Sequence, residues 1–174
     1  MIAPLFVRSG IAFVALCLSL FAHGQQRVEV YEDHRMMWQN MMLHAENGVI
    51  RSGQDWRGEV IWTTLPGKIF QGYSTSTFDL LYSVREQQLI QGDSHFSDAI
   101  LYTAESNGNE IKLYIGDSTF PLDLVYTIRP NAFDDGVFEL YKEDSISQFD
   151  RILVLRGLPS AEELYAILLA LGLL

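Results

Sequence analysis

The sequence predicts a mainly β protein of the α+β class, an antiparallel up-and-down barrel or strongly curved sheet of about eight or nine strands with a helix at each end. Apolar and polar residues alternate over most of positions 49–156, and turn residues interrupt the alternation about every 8–12 positions. An amphipathic segment precedes this region and a nearly all-apolar segment follows it. The 174 residues are of single-domain length.

Residues 1–24 are predicted to be a secretory signal peptide. Arg8 precedes an apolar run over residues 11–22, which is shorter than the ~20 residues that a membrane-spanning helix needs. Ala22 and Gly24 place small residues at the positions that a signal peptidase recognises, so we expect cleavage before Gln25, with retention as an anchor as the alternative. Cleavage would leave a single β-rich domain, residues 25–174, without cysteine or an integral membrane anchor, in the periplasm or outside the cell.

The first element of this domain is predicted to be an amphipathic helix over residues 28–45. Met37, Met41 and Ala45 recur at a spacing of four, which places them on one face of a helix. Gly48 follows, and glycine commonly ends a helix because it tolerates a left-handed backbone.

The alternating region is predicted to contain eight strands and a shorter ninth. Most have apolar residues at a period of two, with turn residues on either side, whereas the last strand is apolar on both faces over residues 152–155, as expected of a covered strand. The candidate strands are Gly58–Thr64, Lys68–Ser74, Phe78–Arg85, Gln88–Gln91, Asp98–Ser106, Asn109–Gly116, Leu122–Arg129, Val137–Lys142 and Phe149–Arg156.

The hairpin around Asn107-Gly108 has the most specific turn signal. Asn-Gly is the preferred pair for a two-residue type I′ turn. That turn would place Ala104 opposite Ile111 and Tyr102 opposite Leu113.

The last element is predicted to be a helix over residues 160–172. Ser160 and Glu163 form the S-x-x-E pattern of a capping box, and residues 164–174 are almost all apolar. This stretch is about half as long as a membrane-spanning helix. We therefore expect a buried helix that closes the sheet or one end of a barrel, with membrane contact as the alternative.

Composition excludes several classes of function. The chain has 22 acidic and 12 basic residues, a formal charge of −10, which would repel a nucleic acid. It contains no P-loop, dinucleotide-binding, H-E-x-x-H or G-x-S-x-G motif. Asp93, Ser94 and His95 are adjacent in sequence, so they cannot form the relay of a hydrolase triad. We therefore predict no enzymatic activity and no cofactor.

Aromatic residues in the strands suggest a binding function. Tyr and Trp combine an apolar body with a polar tip, which suits a ligand cavity as well as a β core. The first hypothesis is a barrel-like cavity for a small apolar or amphipathic ligand. The predicted ligand-binding residues are Trp62, Tyr82, Tyr102 and Tyr126.

Two further hypotheses involve the methionine-rich segment. The second hypothesis is an envelope interaction or assembly factor whose partner protein contacts a sheet edge or this segment. The third is periplasmic copper binding, because thioethers and imidazoles are ligands for Cu(I). On a helix, spacings of three, four and three would place the candidate ligands on one face, although methionines at this spacing also fill cores. These candidates are His34, Met37, Met41 and His44.

Overall fold

The computed structural model describes residues 27–174, in which twelve antiparallel strands form a closed barrel. Each strand pairs with the next along the chain, and β1 pairs with β12 to close the barrel, with Val30 opposite Leu155. The elements are β1 (Val28–Tyr31), β2 (Met41–Glu46), β3 (Val49–Ser52), β4 (Val60–Leu65), β5 (Lys68–Gln71), β6 (Leu80–Arg85), β7 (Gln88–Gln91), β8 (Ile100–Asn107), β9 (Glu110–Ile115), β10 (Leu124–Pro130), β11 (Val137–Lys142), β12 (Arg151–Arg156) and the helix α1 (Ala161–Ala170).

The predicted mainly β, antiparallel barrel is confirmed, but the predicted number of eight or nine strands is wrong. The nine candidate strands correspond to β4 through β12. The three additional strands, β1 to β3, lie in or directly after the segment assigned to a helix. The predicted signal peptide, residues 1–24, lies outside the described residues.

The predicted amphipathic helix over residues 28–45 is wrong, because this segment forms β1, a loop with one short 3-10 turn, and β2. Val28 and Val30 are buried on either side of the half-buried Glu29, which is the two-residue period of a strand. In β2, Ala45 is buried in the barrel core, whereas Met41 is buried in a separate apolar cluster, because an irregularity in the β1–β2 pairing lies between them. Positions four apart share a face in a strand as well as in a helix, so the methionine spacing alone does not distinguish the two.

The barrel is built from six hairpin units with two different ends. At one end, which we call the hairpin face, two-residue turns such as Asn47-Gly48 join the strands of four hairpins, and loop 131–136 joins β10 to β11. The sixth unit is β12 paired with β1. At the other end, which we call the loop face, longer loops connect successive hairpins. The six loops are residues 32–40, 53–59, 72–79, 92–99, 116–123 and 143–150.

The predicted register of the β8–β9 hairpin is wrong by two residues. The turn residues are Gly108 and Asn109, and Ala104 lies opposite Leu113 rather than Ile111. Gly108 has a φ of 64°, whereas Asn107 remains in β8, so the glycine is the first residue of the turn. A shift of two residues preserves the face on which each side chain lies, which is why the predicted faces remain correct.

The C-terminal helix α1 lies inside the barrel. The predicted capping box is formed, since Ser160 Oγ accepts from the Glu163 N–H and the Glu163 carboxylate accepts from the Ser160 N–H. Five consecutive residues, Leu164–Leu168, are buried, so no face of this part of the helix reaches solvent. They share one apolar core with the inner faces of strands around the whole barrel. The helix is therefore the central core element rather than a cover over one end.

Closure of the barrel also corrects the hypothesis that a partner protein contacts a sheet edge. Among residues 27–174, every strand pairs on both sides, so the fold has no free sheet edge for a partner. No helix in this range is long and apolar enough to cross a membrane.

Candidate functional site

The four aromatic residues predicted to bind a ligand occupy equivalent positions in four consecutive hairpin units. They belong to a ring of six inward-facing positions, which we call the inner ring. Trp62 and Tyr82 contact each other edge to face, with ring centroids 6.1 Å apart. The members of the inner ring are Leu43, Trp62, Tyr82, Tyr102, Tyr126 and Leu153.

The C-terminal segment occupies the space that the ligand hypothesis assigned to a cavity. The four aromatic side chains pack against the same core as Leu173 and Leu174. Tyr126 donates a hydrogen bond to the carbonyl oxygen of Leu173 at 3.0 Å. Burial raises the pKa of the Tyr126 phenol, and the neighbouring Tyr102 adds to the increase. The inner ring is therefore the surface on which the C-terminus packs.

The four candidate copper ligands do not share a face, because the helix that would align them is not formed. Met41 is buried in a small apolar cluster on the outer wall, whereas Met37 is exposed on the loop face. His34 is exposed, and its Nδ1 lies 3.2 Å from a guanidinium nitrogen of Arg151. Among the described residues, no group of three or more His, Cys, Asp or Glu side chains is arranged to hold a metal ion.

The fourth candidate, His44, has a structural role that the repeat explains. In β4, Thr63 Oγ1 donates to the carbonyl oxygen of Gly72 at 2.7 Å, and Ser83 makes the same contact with Gly92. His44 occupies the equivalent position in β2, and its Nδ1 lies 2.9 Å from the carbonyl oxygen of Gly53. A carbonyl only accepts hydrogen bonds, so Nδ1 carries the proton.

A groove of about 420 Å³ lies on the outer wall, and we call it the outer groove. Loop 131–136 and the outward side chains of β11 and β12 form most of its lining. Arg151 and Glu139 form a nearly buried ion pair in it, with an N–O distance of 2.7 Å. Tyr141 donates to the second oxygen of Glu139 at 2.7 Å.

The polar groups of the outer groove are paired with one another. Burial opposes ionisation of Glu139, but the hydrogen bonds from Tyr141 and Arg151 outweigh it and hold the pKa of the carboxyl below its usual value. Burial together with the Glu139 carboxylate raises the pKa of Tyr141. Because both carboxylate oxygens are already bonded, this arrangement stabilises the wall and is a poor general base.

Three of the six loops of the loop face repeat one hydrogen-bonded design. In loop 72–79, Ser74 Oγ accepts from the N–H of Ser76 and donates to the carboxylate of Asp79. Loops 116–123 and 143–150 repeat both contacts, with Ser118–Asp123 and Ser145–Asp150 pairs. The shared bonds set each loop in the same conformation, so each presents the intervening residues to solvent in the same way.

Arg85 and Arg129 tie two of the six loops, 92–99 and 143–150, to the outer wall. Arg85 contacts Asp93 and donates to the carbonyl oxygen of Ser94 at 2.8 Å and toward His95 Nδ1 at 2.9 Å. Arg129 forms the equivalent contact with Asp144. The Asp-Ser-His sequence is thus part of a loop anchor.

The exposed residues of these loops are mostly large and apolar. Every one of the six loops contributes at least one side chain that is between 67% and 100% exposed. A folded protein normally exposes such residues singly, and larger groups of them mark interaction sites. We call this set the apolar rim: Trp38, Trp56, Tyr73, Phe78, Phe96, Phe120, Leu122, Ile146 and Phe149.

The loop face also holds nearly all of the net charge of the domain. The six loops contain twelve acidic and two basic residues, a formal charge of −10. The remaining described residues contain ten acidic and nine basic side chains and are almost neutral overall. Among the described side chains, Asp93 and Asp144 are the loop carboxylates that form a salt bridge. The loop face is therefore both apolar and strongly negative.

The apolar rim is the feature that sequence reasoning missed, although the sequence contains a signal for it. A Ser-x-x-x-x-Asp pattern recurs at Ser74, Ser118 and Ser145, and Ser94 keeps the serine alone. Phe78, Leu122 and Phe149 immediately precede the three aspartates, where they were assigned to the starts of strands. A search for internal repeats would have placed them in equivalent loops.

Comparisons with known proteins agree with the six-unit architecture. A family model described as "6-fold beta flower protein" matches residues 30–155, from β1 to β12. No curated protein matches the chain. One similar solved structure, an X-ray structure of a protein from Arabidopsis thaliana, has 11% sequence identity over 86% of this chain and 90% of that chain. Its TM-score is 0.22, so the similarity carries no structural argument.

Proposed function

The chain belongs to the 6-fold beta flower family, and we propose that it is an exported, non-enzymatic binding protein whose contact surface is the loop face. The observation that carries the proposal is the apolar rim, to which all six loops contribute. Nine large side chains of this exposure amount to about 1,000 Å² of apolar surface. A standard protein interface buries about 800 Å² on each partner, so the rim is large enough for one.

The geometry favours this role over catalysis. The outer groove has its carboxylate and guanidinium paired with each other. The loops, in contrast, use their polar groups to fix the backbone and leave apolar groups exposed. A rigid surface that loses little entropy on binding is what a recognition module requires. Export remains supported by the sequence pattern of residues 1–24.

We expect crosslinks from the loop face and none from a matched exposed phenylalanine elsewhere. A photoreactive phenylalanine analogue would replace Phe78 or Phe149 in the source cells, and Phe133 as the control. Phe133 is 94% exposed but lies in loop 131–136 of the hairpin face. Discrete adducts at Phe78 and Phe149 would support the proposal.

A variant pair separates recognition from folding in the same experiment. Phe78→Ser/Phe149→Ser removes two rim side chains and should change the free energy of unfolding by less than about 0.5 kcal/mol, because both are exposed. It should abolish the adduct formed from an analogue at Phe120, whereas Phe133→Ser should leave it intact. The proposal would be contradicted if adducts formed only from the analogue at position 133. It would also be contradicted if Phe78→Ser/Phe149→Ser still gave the adduct from the analogue at position 120.

A second candidate function, binding of a small apolar ligand at the inner ring, is favoured by one observation. The indole Nε1 of Trp62 is buried and has no hydrogen-bond acceptor among the described residues. A buried donor without a partner costs about 1–3 kcal/mol, and an acceptor atom on a ligand would recover part of this cost. Such a ligand would have to displace residues 171–174, which pack near the ring.

Trp62 fluorescence provides the test of this second candidate. In a Trp38→Phe/Trp56→Phe variant, Trp62 is the remaining one of three tryptophans. Titration with dodecanoate should then give a saturable spectral shift, and Tyr102→Phe/Tyr126→Phe should weaken binding about threefold to tenfold through lost polar contacts. An unchanged emission spectrum at saturating dodecanoate would exclude the inner ring as a ligand site.

A further inference from the structure

Resting on the proposed function, we infer that the partner of the loop face is a basic, apolar polypeptide segment, whose Arg or Lys side chains lie between the rim aromatics and the loop carboxylates. The inference rests on charge as well as on apolar exposure. The loops that carry the apolar rim also carry a formal charge of −10, so a partner that covers the rim must also face these carboxylates.

Charge complementarity excludes the other occupants of this face. A second copy would place two strongly negative faces against each other, and such like-charge contacts oppose association. An anionic bilayer and a nucleic acid would be repelled in the same way. A zwitterionic bilayer could receive the aromatic side chains but gains nothing from the carboxylates. A basic, apolar polypeptide satisfies both features of the surface.

The loop face already contains one example of the contact that we propose. The guanidinium carbon of Arg57 lies 5.2 Å from the centroid of the Trp56 ring, within cation–π distance. Both residues are in loop 53–59, and Trp56 is 70% exposed. An exposed rim aromatic thus accepts a guanidinium on its face, while the other rim aromatics offer their faces to side chains of a partner.

Several loop carboxylates are free to meet such a partner. Among the described residues, Glu59, Asp98 and Glu143 make no side-chain hydrogen bond or salt bridge, and all three are exposed. They belong to three different loops and flank rim side chains such as Trp56 and Phe96. A partner with spaced basic residues could engage them without disturbing the Ser–Asp pairs that shape the loops.

The test uses three short synthetic peptides in which Trp alternates with Arg, Gln or Glu, measured by fluorescence anisotropy against the full chain without its predicted signal peptide. We expect the Arg peptide to bind at least tenfold more tightly than the Gln peptide, and the Glu peptide to bind most weakly. The affinity for the Arg peptide should fall by at least tenfold between about 50 mM and about 500 mM salt, because salt screens exposed charges.

Matched variants locate the effect on the loop face. Glu59→Gln/Asp98→Asn/Glu143→Gln removes three loop carboxylates. This variant should bind the Arg peptide about threefold to tenfold more weakly than the unsubstituted protein does. The control, Glu46→Gln/Glu86→Gln/Asp135→Asn, removes the same charge from exposed positions on the hairpin face and should leave its affinity unchanged. If both triple variants bind the Arg peptide equally weakly, the effect depends only on the net charge of the protein, and the inference is overturned.

The remaining outcomes separate this inference from the proposed function. Equal, salt-independent binding of all three peptides, lost in Phe78→Ser/Phe149→Ser, would overturn the basic partner but keep the loop face as a binding surface. Co-sedimentation with phosphatidylcholine vesicles that requires the same two phenylalanines would overturn it in favour of a bilayer. If no peptide binds, the inference fails, and the crosslinking experiment decides the proposed function independently.

Discussion

Tyr165→Ala is expected to lower the free energy of unfolding by about 3–5 kcal/mol, which is the usual cost of removing a large aromatic side chain from a packed core. Tyr165 is a completely buried residue of α1, in the part of the barrel next to the hairpin face. Burial also raises the pKa of its phenol, consistent with a side chain that no water reaches. A domain of this size has about 5–15 kcal/mol of stability, so the loss is a large fraction of the total.

The hydroxyl group of Tyr165 adds a contact that helps to position the helix. It donates to the carbonyl oxygen of Gln87 at 2.6 Å, in the turn between β6 and β7. Glu162 Oε1 accepts from the N–H of Gly67, in the turn between β4 and β5, at 2.8 Å. The first turns of α1 are therefore held by two turns of the hairpin face, and the helix extends from there into the barrel.

Tyr165→Phe is the matched control, since it keeps the ring and removes only the hydrogen bond. Its cost should be about 1 kcal/mol, the typical net value of one such bond, or somewhat more because the carbonyl of Gln87 loses a partner. Denaturant titrations of both variants, followed by circular dichroism, measure the difference. If Tyr165→Ala unfolds within 1 kcal/mol of the unsubstituted protein, the helix does not form the core that the structure indicates.

Local signals in the sequence predicted the C-terminal helix well, because its pattern admits one interpretation. Ser160 and Glu163 specify a capping box whatever lies around them, and both of its hydrogen bonds are formed. The N-terminal segment is different. Met37, Met41 and Ala45 fit a helix and a strand equally at a spacing of four, and only the pairing of β2 with β1 and β3 decides between them.

Neither the closure of the barrel nor its repeat could be predicted from the sequence patterns of individual strands. Closure requires β1 to pair with β12, and these segments are more than a hundred residues apart in sequence. The aromatic residues at Trp62 and Tyr126 were correctly placed in strands, but their inward direction alone does not show whether a ligand or a helix fills the barrel. The apolar rim was missed because Phe78 and Phe149 look like strand residues until the loops are compared.

Glu139→Gln is the second substitution with a large expected effect, because it leaves the Arg151 guanidinium without its anion in a nearly buried site. The two side chains are 11% and 14% exposed, so little solvent can replace the lost partner. Breaking a buried ion pair on one side costs about 3–5 kcal/mol, and we expect about 2–3 kcal/mol here because Gln keeps a hydrogen-bonding oxygen. Glu59→Gln, at an exposed loop position, is the control and should be neutral.

The pH dependence identifies the ion pair as the cause. The pKa of Glu139 is lower in the folded protein than in the unfolded chain, so its contribution is complete above the unfolded value of about 4.3 and is lost as the pH falls through the folded pKa. The free energy of unfolding should therefore decline more steeply below about pH 4.5 in the unsubstituted protein than in Glu139→Gln. The two curves should converge in acid. Parallel curves would show that the carboxylate is not stabilised by Arg151 and Tyr141.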